Sequence, residues 1–165
     1  MMPDEQFQIA CRDLLQQQQT ATVRLLKLLK QEYETLSTSQ AASLDDITHE
    51  KQPVILSLDK LNQQWLALLS SKCADMTPDG ITHFLAGHKN TDDKPALSTL
   101  WLELQSTARA CKKANTVNGS IIALRHQSTQ KTMAILRGQI PGNTVYDPHG
   151  NSATGYAGGN AIAKA

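Results

Sequence analysis

Aromatic residues make up only 4 % of this chain, and nowhere does it hold an apolar run long enough to cross a bilayer. A chain so poor in aromatics, and dominated by Leu, Gln, Ala, Thr and Lys, suits extended helices better than sheets. Charge of one sign is also missing. Sixteen Lys and Arg stand against fifteen Asp and Glu, a formal net charge of +1. No global field therefore argues for nucleic acid or an anionic membrane as partner. Cysteine is scarce: Cys11, Cys73 and Cys111 are odd in number and lack short spacings. That pattern argues against a disulfide framework and reads as reduced thiols in small core positions. The opening residues MMPDEQFQIA carry acids and no apolar run, so they do not read as a secretory signal. The expectation is a soluble, cytoplasmic protein of 165 residues, a length that fits one domain with its own core.

Constellations that carry chemistry are missing too. The five histidines, His49, His83, His88, His126 and His149, are scattered, and no His or Cys pair has zinc-ligand spacing. A di-metal helical bundle needs Glu-x-x-His pairs, and none occurs. The segment GYAGGN has glycines but neither a preceding strand nor a GK[ST] element, so it is a poor phosphate cradle. Arg109 with Lys112 and Lys113 forms a small basic spot that reads as a solvated helix face. Neither an enzyme nor a cofactor-binding protein is expected.

What is present is helical periodicity. From Asp4 to Leu36 there is no Gly or Pro, and Phe7, Cys11, Leu14, Gln18, Ala21, Leu25 and Leu28 step by four and three. This is the period of a coiled-coil seam, with Gln18 a polar seam position able to fix register. STSQAAS at 37–43 interrupts it, and Ser43 followed by Asp46 resembles a capping box. The seam resumes through Leu44, Ile47, Lys51, Val54, Leu58, Leu61, Trp65 and Leu68. Pro53 lies within this run and predicts a kink near His49–Glu50. Thr77–Pro78 starts a short helix over 78–86 that Gly87 stops. A third long helix opens near Pro95 and runs to Leu136, ending at Gly138 and Pro141.

The fold expected is all-α: an elongated antiparallel three-helix coiled-coil bundle with a short extra helix. The limits expected are 4–36, 44–71, 78–86 and 95–136, a bundle over 1–138 and a flexible Gly-rich arm over 139–165. In the third long helix Leu97, Leu100, Trp101, Leu104, Ala108 and Cys111 make an ordinary core stripe. Asn115, Asn118 and Gly119 then occupy positions where the stripe should continue. Amides at seam positions trade stability for register or partner choice, and Gly119 costs about 1 kcal/mol relative to Ala. Beyond them Ile121, Ile122, Leu124, Met133, Ile135 and Leu136 cover more than one face. Some of that surface is expected to lack a partner in its own chain.

Three stretches together resemble the FlgN family of flagellar export chaperones. EKQPVILSLDKLNQQW (50–65) is similar to the family's second-helix pattern, and NTVNGSIIALRHQSTQKTMAIL (115–136) to its third-helix segment. VYDPHGN (145–151) is similar to its tail motif, although Asp147 stands where the family commonly has Gly. The resemblance implies a carrier that binds the C-terminal helical segments of the hook–filament junction proteins FlgK and FlgL. It also implies docking on the export gate protein FlhA through a tail tyrosine that matches Tyr146, with Asp147 and Gly150 beside it. The client-binding residues expected are Asn118, Gly119, Ile122, Met133 and Leu136, with Ile122, Met133 and Leu136 as apolar anchors. The free protein would be a monomer, with no nucleic acid partner and no membrane insertion. The competing reading is a structural or oligomerising coiled coil whose third helix pairs with a copy of itself.

Overall fold

A computed structural model describes residues 4–38, 41–88 and 95–138. Four helices follow in order: α1 Asp4–Thr38, α2 Ala41–Ser70, α3 Pro78–Ala86 and α4 Leu97–Leu136. The fold is all-α, built from long helices packed on one another. The chain divides into two compact units, residues 1–122 and 123–165. The first holds α1, α2, α3 and the larger part of α4.

Helix α1 is central to the first unit. Its buried residues are Phe7, Cys11, Leu15, Gln18, Thr22, Leu28, Leu29, Glu32 and Leu36. The predicted seam shares Phe7, Cys11, Gln18 and Leu28 with that set, while Leu14, Ala21 and Leu25 are half-buried. The stripe is wider than one seam because α1 meets both other long helices. It pairs antiparallel with α2, shown by Glu32 meeting Lys51 and Asp4 meeting Lys72. It runs alongside α4 in the same direction, so that Gln19 Nε2 donates to Thr107 Oγ1 at 3.1 Å, and Cys111 Sγ to the Thr22 carbonyl at 3.4 Å. Asp4 and Glu5 in its first turn complement the helix dipole. Lys72 beside Asp4 holds that carboxyl below its usual range.

Helix α2 buries Ile47, Val54, Leu61 and Trp65, with Lys51, Leu58 and Leu68 half-buried, which is the predicted seam. It begins at Ala41, ahead of Ser43, so Ser43 lies inside the helix and does not cap it. Pro53 is exposed within the helix, which continues unbroken past it. The ring faces solvent, and the His49 carbonyl is the group that loses its i+4 donor.

One end of the first unit carries a cluster of buried apolar side chains. Phe7, Cys11 and Leu15 of α1 pack with Trp65 and Leu69 of α2, Ile81 and Leu85 of α3, and Leu97 and Leu104 of α4. The few aromatics are concentrated here. Phe7 meets Phe84 edge-on at 6.0 Å, and Trp65 stacks on Trp101 at 5.7 Å between ring centroids. Trp101 Nε1 donates to Thr82 Oγ1 at 3.1 Å, tying α4 to α3. Thr77 caps α3 by accepting from the Gly80 backbone N–H at 3.1 Å. Hydrogen bonds from the Thr77 backbone and hydroxyl hold the Asp75 carboxyl below its usual range. That carboxyl lies over Gly80, where an added Cβ would come within 2.2 Å of Asp75 Cγ. A larger residue there would require the Asp75 side chain to move.

The described part of the second unit is the last stretch of α4 and its cap. Gly138 adopts a left-handed backbone (φ 73°), and its N–H reaches the Ile135 carbonyl at 2.9 Å. This is the conformation glycine adopts most cheaply at a helix end. Among the described residues, no helix is long and apolar enough to cross a membrane.

Candidate functional site

The late part of α4 begins where its last buried side chain sits. Asn118 is only 2 % exposed. Its Nδ2 donates to the Leu29 carbonyl and to Glu32 Oε2, both at 2.8 Å. Both partners are acceptors without a hydrogen to give, so the amide nitrogen must face them. Glu32 Oε1 in turn accepts from Lys51 Nζ at 2.6 Å. One carboxylate on α1 thus ties α2 and α4 together. Asn118 Oδ1 is buried without a donor among the described residues. Such a lock is satisfied in only one register of the three helices, since sliding any of them strands a buried amide or carboxylate.

Beyond Asn118 the apolar side chains turn outward. Gly119 is exposed, with nothing within 4 Å of where a Cβ would sit. Ile122, at the end of the first unit, is 48 % exposed. In the second unit Met133 is 51 % and Leu136 81 % exposed, and Leu124 and Ile135 are open as well. A single exposed leucine means little, but Met133 and Leu136 fall on one side of the helix by its period, with Leu124 and Ile135 on the other, and paired exposed apolar side chains of this kind mark a partner surface.

Among the predicted site residues, Asn118 therefore faces the interior of the free chain, whereas Gly119, Ile122, Met133 and Leu136 face out. Tyr146, Asp147 and Gly150 lie outside the described residues. Glu32 was not anticipated. A signal for it existed: it falls four residues after Leu28 in the first seam, and the second seam carries Lys51, its opposite charge.

Among the described residues no group of three or more His, Cys, Asp or Glu is placed to hold a metal ion. All three thiols are free and buried. Burial pushes the Cys11 thiol up to about 12 and raises Cys111 as well, so both are held in the unreactive protonated form.

A second feature of the first unit is an open seam between α2 and α4. Two hollows of about 390 and 240 Å³ lie along it, sharing Leu25 and Cys111 in their walls. The larger is lined by residues such as Leu58 and Trp65 of α2 and Trp101 and Leu104 of α4. The smaller continues past Ile55 to Lys51, Lys112 and Asn115.

Comparison with known proteins adds one positive finding. The family model described as FlgN protein matches residues 9–154, a span that includes α1, α2, α3 and α4 in full but for the first turn of α1. A search of curated proteins and a search of solved structures each found no match. The matched span covers most of the 165 residues and contains both the buried lock and the exposed face of α4. The chain belongs to the FlgN family, a family of flagellar export chaperones.

Proposed function

We propose that this protein is a cytoplasmic type III export chaperone that binds the C-terminal helical segments of the junction proteins FlgK and FlgL and delivers them to the export gate protein FlhA. The observation that carries the reading is the row of exposed apolar side chains on late α4, at Ile122, Met133 and Leu136. An amphipathic client helix lays its own stripe against that face. Exposed leucine and methionine left bare would favour self-association, so covering them with a client protects both partners. Gly119 permits close approach of the client backbone. Asn118 contributes by holding the part of α4 that precedes this face in register against α1.

In this reading the gate is met through Tyr146, Asp147 and Gly150. A carrier must release what it carries, and an affinity near micromolar, about −8 kcal/mol, suits that task. Release then needs no nucleotide site in this chain.

The test is capture of a FlgK-type C-terminal segment by the double variant Ile122→Asp, Met133→Asp. Capture should be abolished while circular dichroism stays helical. Undiminished capture would remove the face from consideration. Removing residues 139–165 should weaken FlhA binding and leave client affinity nearly intact, whereas an unfolded truncation product would make that segment structural.

A further inference from the structure

The trough between α2 and α4 is lined on α4 only as far as Asn115, ahead of Ile122 and the residues that follow it. Its floor is α1, through Thr22, Leu25 and Leu29. One wall is α2 from Lys51 to Trp65, the other α4 from Trp101 to Asn115. Each wall is about 21 Å long, roughly four turns at ~1.5 Å per residue. Two helices held apart on a third leave the place that the fourth rod fills in a four-helix bundle. Three observations say that this place is not simply badly packed surface.

The first is its chemistry. Apolar side chains line the larger hollow, and Ile55, Leu66 and Leu102, further apolar residues on the same two helices, stand exposed. The second is an unspent donor: Trp65 lines the trough, is 2 % exposed, and its Nε1 has no acceptor among the described residues. Its stacking partner Trp101 has one, in Thr82. The third is charge. No acidic side chain lines either hollow, and the two cations at one end differ in status. Lys51 is neutralised by Glu32, but Lys112 is exposed and forms no salt bridge among the described residues.

We propose that this trough is a second docking site, taking an amphipathic helix of the carried protein that bears a carboxylate at the end meeting Lys112. The proposal rests on the carrier reading and adds to it a groove separate from the Ile122–Leu136 face. The apolar stripe of the incoming helix seats on Leu25, Leu58 and Ala108, and a polar group of it accepts from Trp65 Nε1. Selection follows from the same features. A helix with a basic residue at the Lys112 end meets like charge and is disfavoured.

The experiment uses the full chain and a FlgK-type C-terminal segment as probe, with capture followed by titration and by tryptophan emission. Both tryptophans of the chain line this trough, so emission responds to what enters it. Ala108 is exposed, and Ala108→Glu places a carboxylate in the trough without touching the core. Expected are a shift of emission to the blue on capture by the unaltered protein, and capture about tenfold or more weaker for Ala108→Glu. Lys112→Glu should weaken capture too, with a reduced dependence on salt, and both variants should remain helical by circular dichroism. Capture by the unaltered protein that neither variant changes overturns the trough and leaves the carrier reading standing. No capture by the unaltered protein overturns both. Stronger capture by Ala108→Glu would put the chain's own residues 139–165 in the trough. An unaltered dimer that Ala108→Glu turns into a monomer would put a second copy there. Either result overturns the proposal.

Discussion

Asn118 gives both amide hydrogens to α1 and thereby couples two neighbours that sequence places far away, Leu29 and Glu32. Replacing it with alanine removes those bonds and leaves Glu32 Oε2 buried without its donor. The expected loss is about 1–3 kcal/mol, read as a lower urea midpoint with an unchanged slope. Asn118→Asp should be worse, since it sets a second carboxylate against Glu32 where Lys51 already serves the first. Equal stability of the two variants would show that Glu32 is reached by water and that no lock exists. Cys11 makes the pH prediction at this scale. Its thiol is raised from 9.0 to about 12 by burial, so the folded state binds the proton more tightly than the unfolded one. The stability tied to that proton is complete below the unfolded value of 9.0 and is lost as pH rises toward 12. Denaturation followed from pH 8 upward should show this loss, and Cys11→Ser should reduce the slope.

At the scale of an element, α4 is two kinds of helix in one rod. Its first part buries Leu97, Leu104 and Cys111 and ends its buried series at Asn118. Its last part exposes nearly every large side chain it has. Gly119 stands between them. With nothing within 4 Å of a new Cβ, Gly119→Ala should stabilise the free chain by about 1 kcal/mol through helix propensity alone. The same methyl should obstruct a client that approaches closely, so capture should weaken as the melting temperature rises. A variant that gains stability and keeps full affinity would show that the client does not approach Gly119. Opposite signs for stability and binding are hard to obtain from a residue that serves only the fold.

For the whole molecule, the question is whether the exposed faces meet a client or a copy. Sedimentation of the purified chain should show a monomer that becomes a one-to-one complex when a FlgK-type segment is added. A stable homodimer at micromolar concentration would favour the oligomerising coiled coil instead. An interface of that kind buries about 1,600 Å² in total. Stability offers a second handle. Because Ile122 and Met133 are exposed, truncating both to alanine should change stability little, whereas Leu15→Ala in the core should cost about 2–5 kcal/mol.

Sequence alone determined the helical class, the α2 seam down to Ile47, Val54, Leu61 and Trp65, the α3 cap at Thr77–Pro78, and the excess of apolar side chains after Asn118. Each of these follows from local rules: a period near 3.6 and a missing backbone N–H. The tertiary structure decided what a single helix cannot show. Periodicity says that a side chain faces a neighbour, but not how many neighbours there are. The α1 stripe is accordingly two seams wide, taking in Leu15, Thr22 and Leu29 beside the predicted line. Pairing decided the fate of the amide too. Asn118 reads the same from sequence whether it points at a client or at Glu32, and only the register of three packed helices put a carboxylate and a carbonyl within 2.8 Å of it. The open trough is likewise a property of spacing between rods, which no one-dimensional pattern encodes.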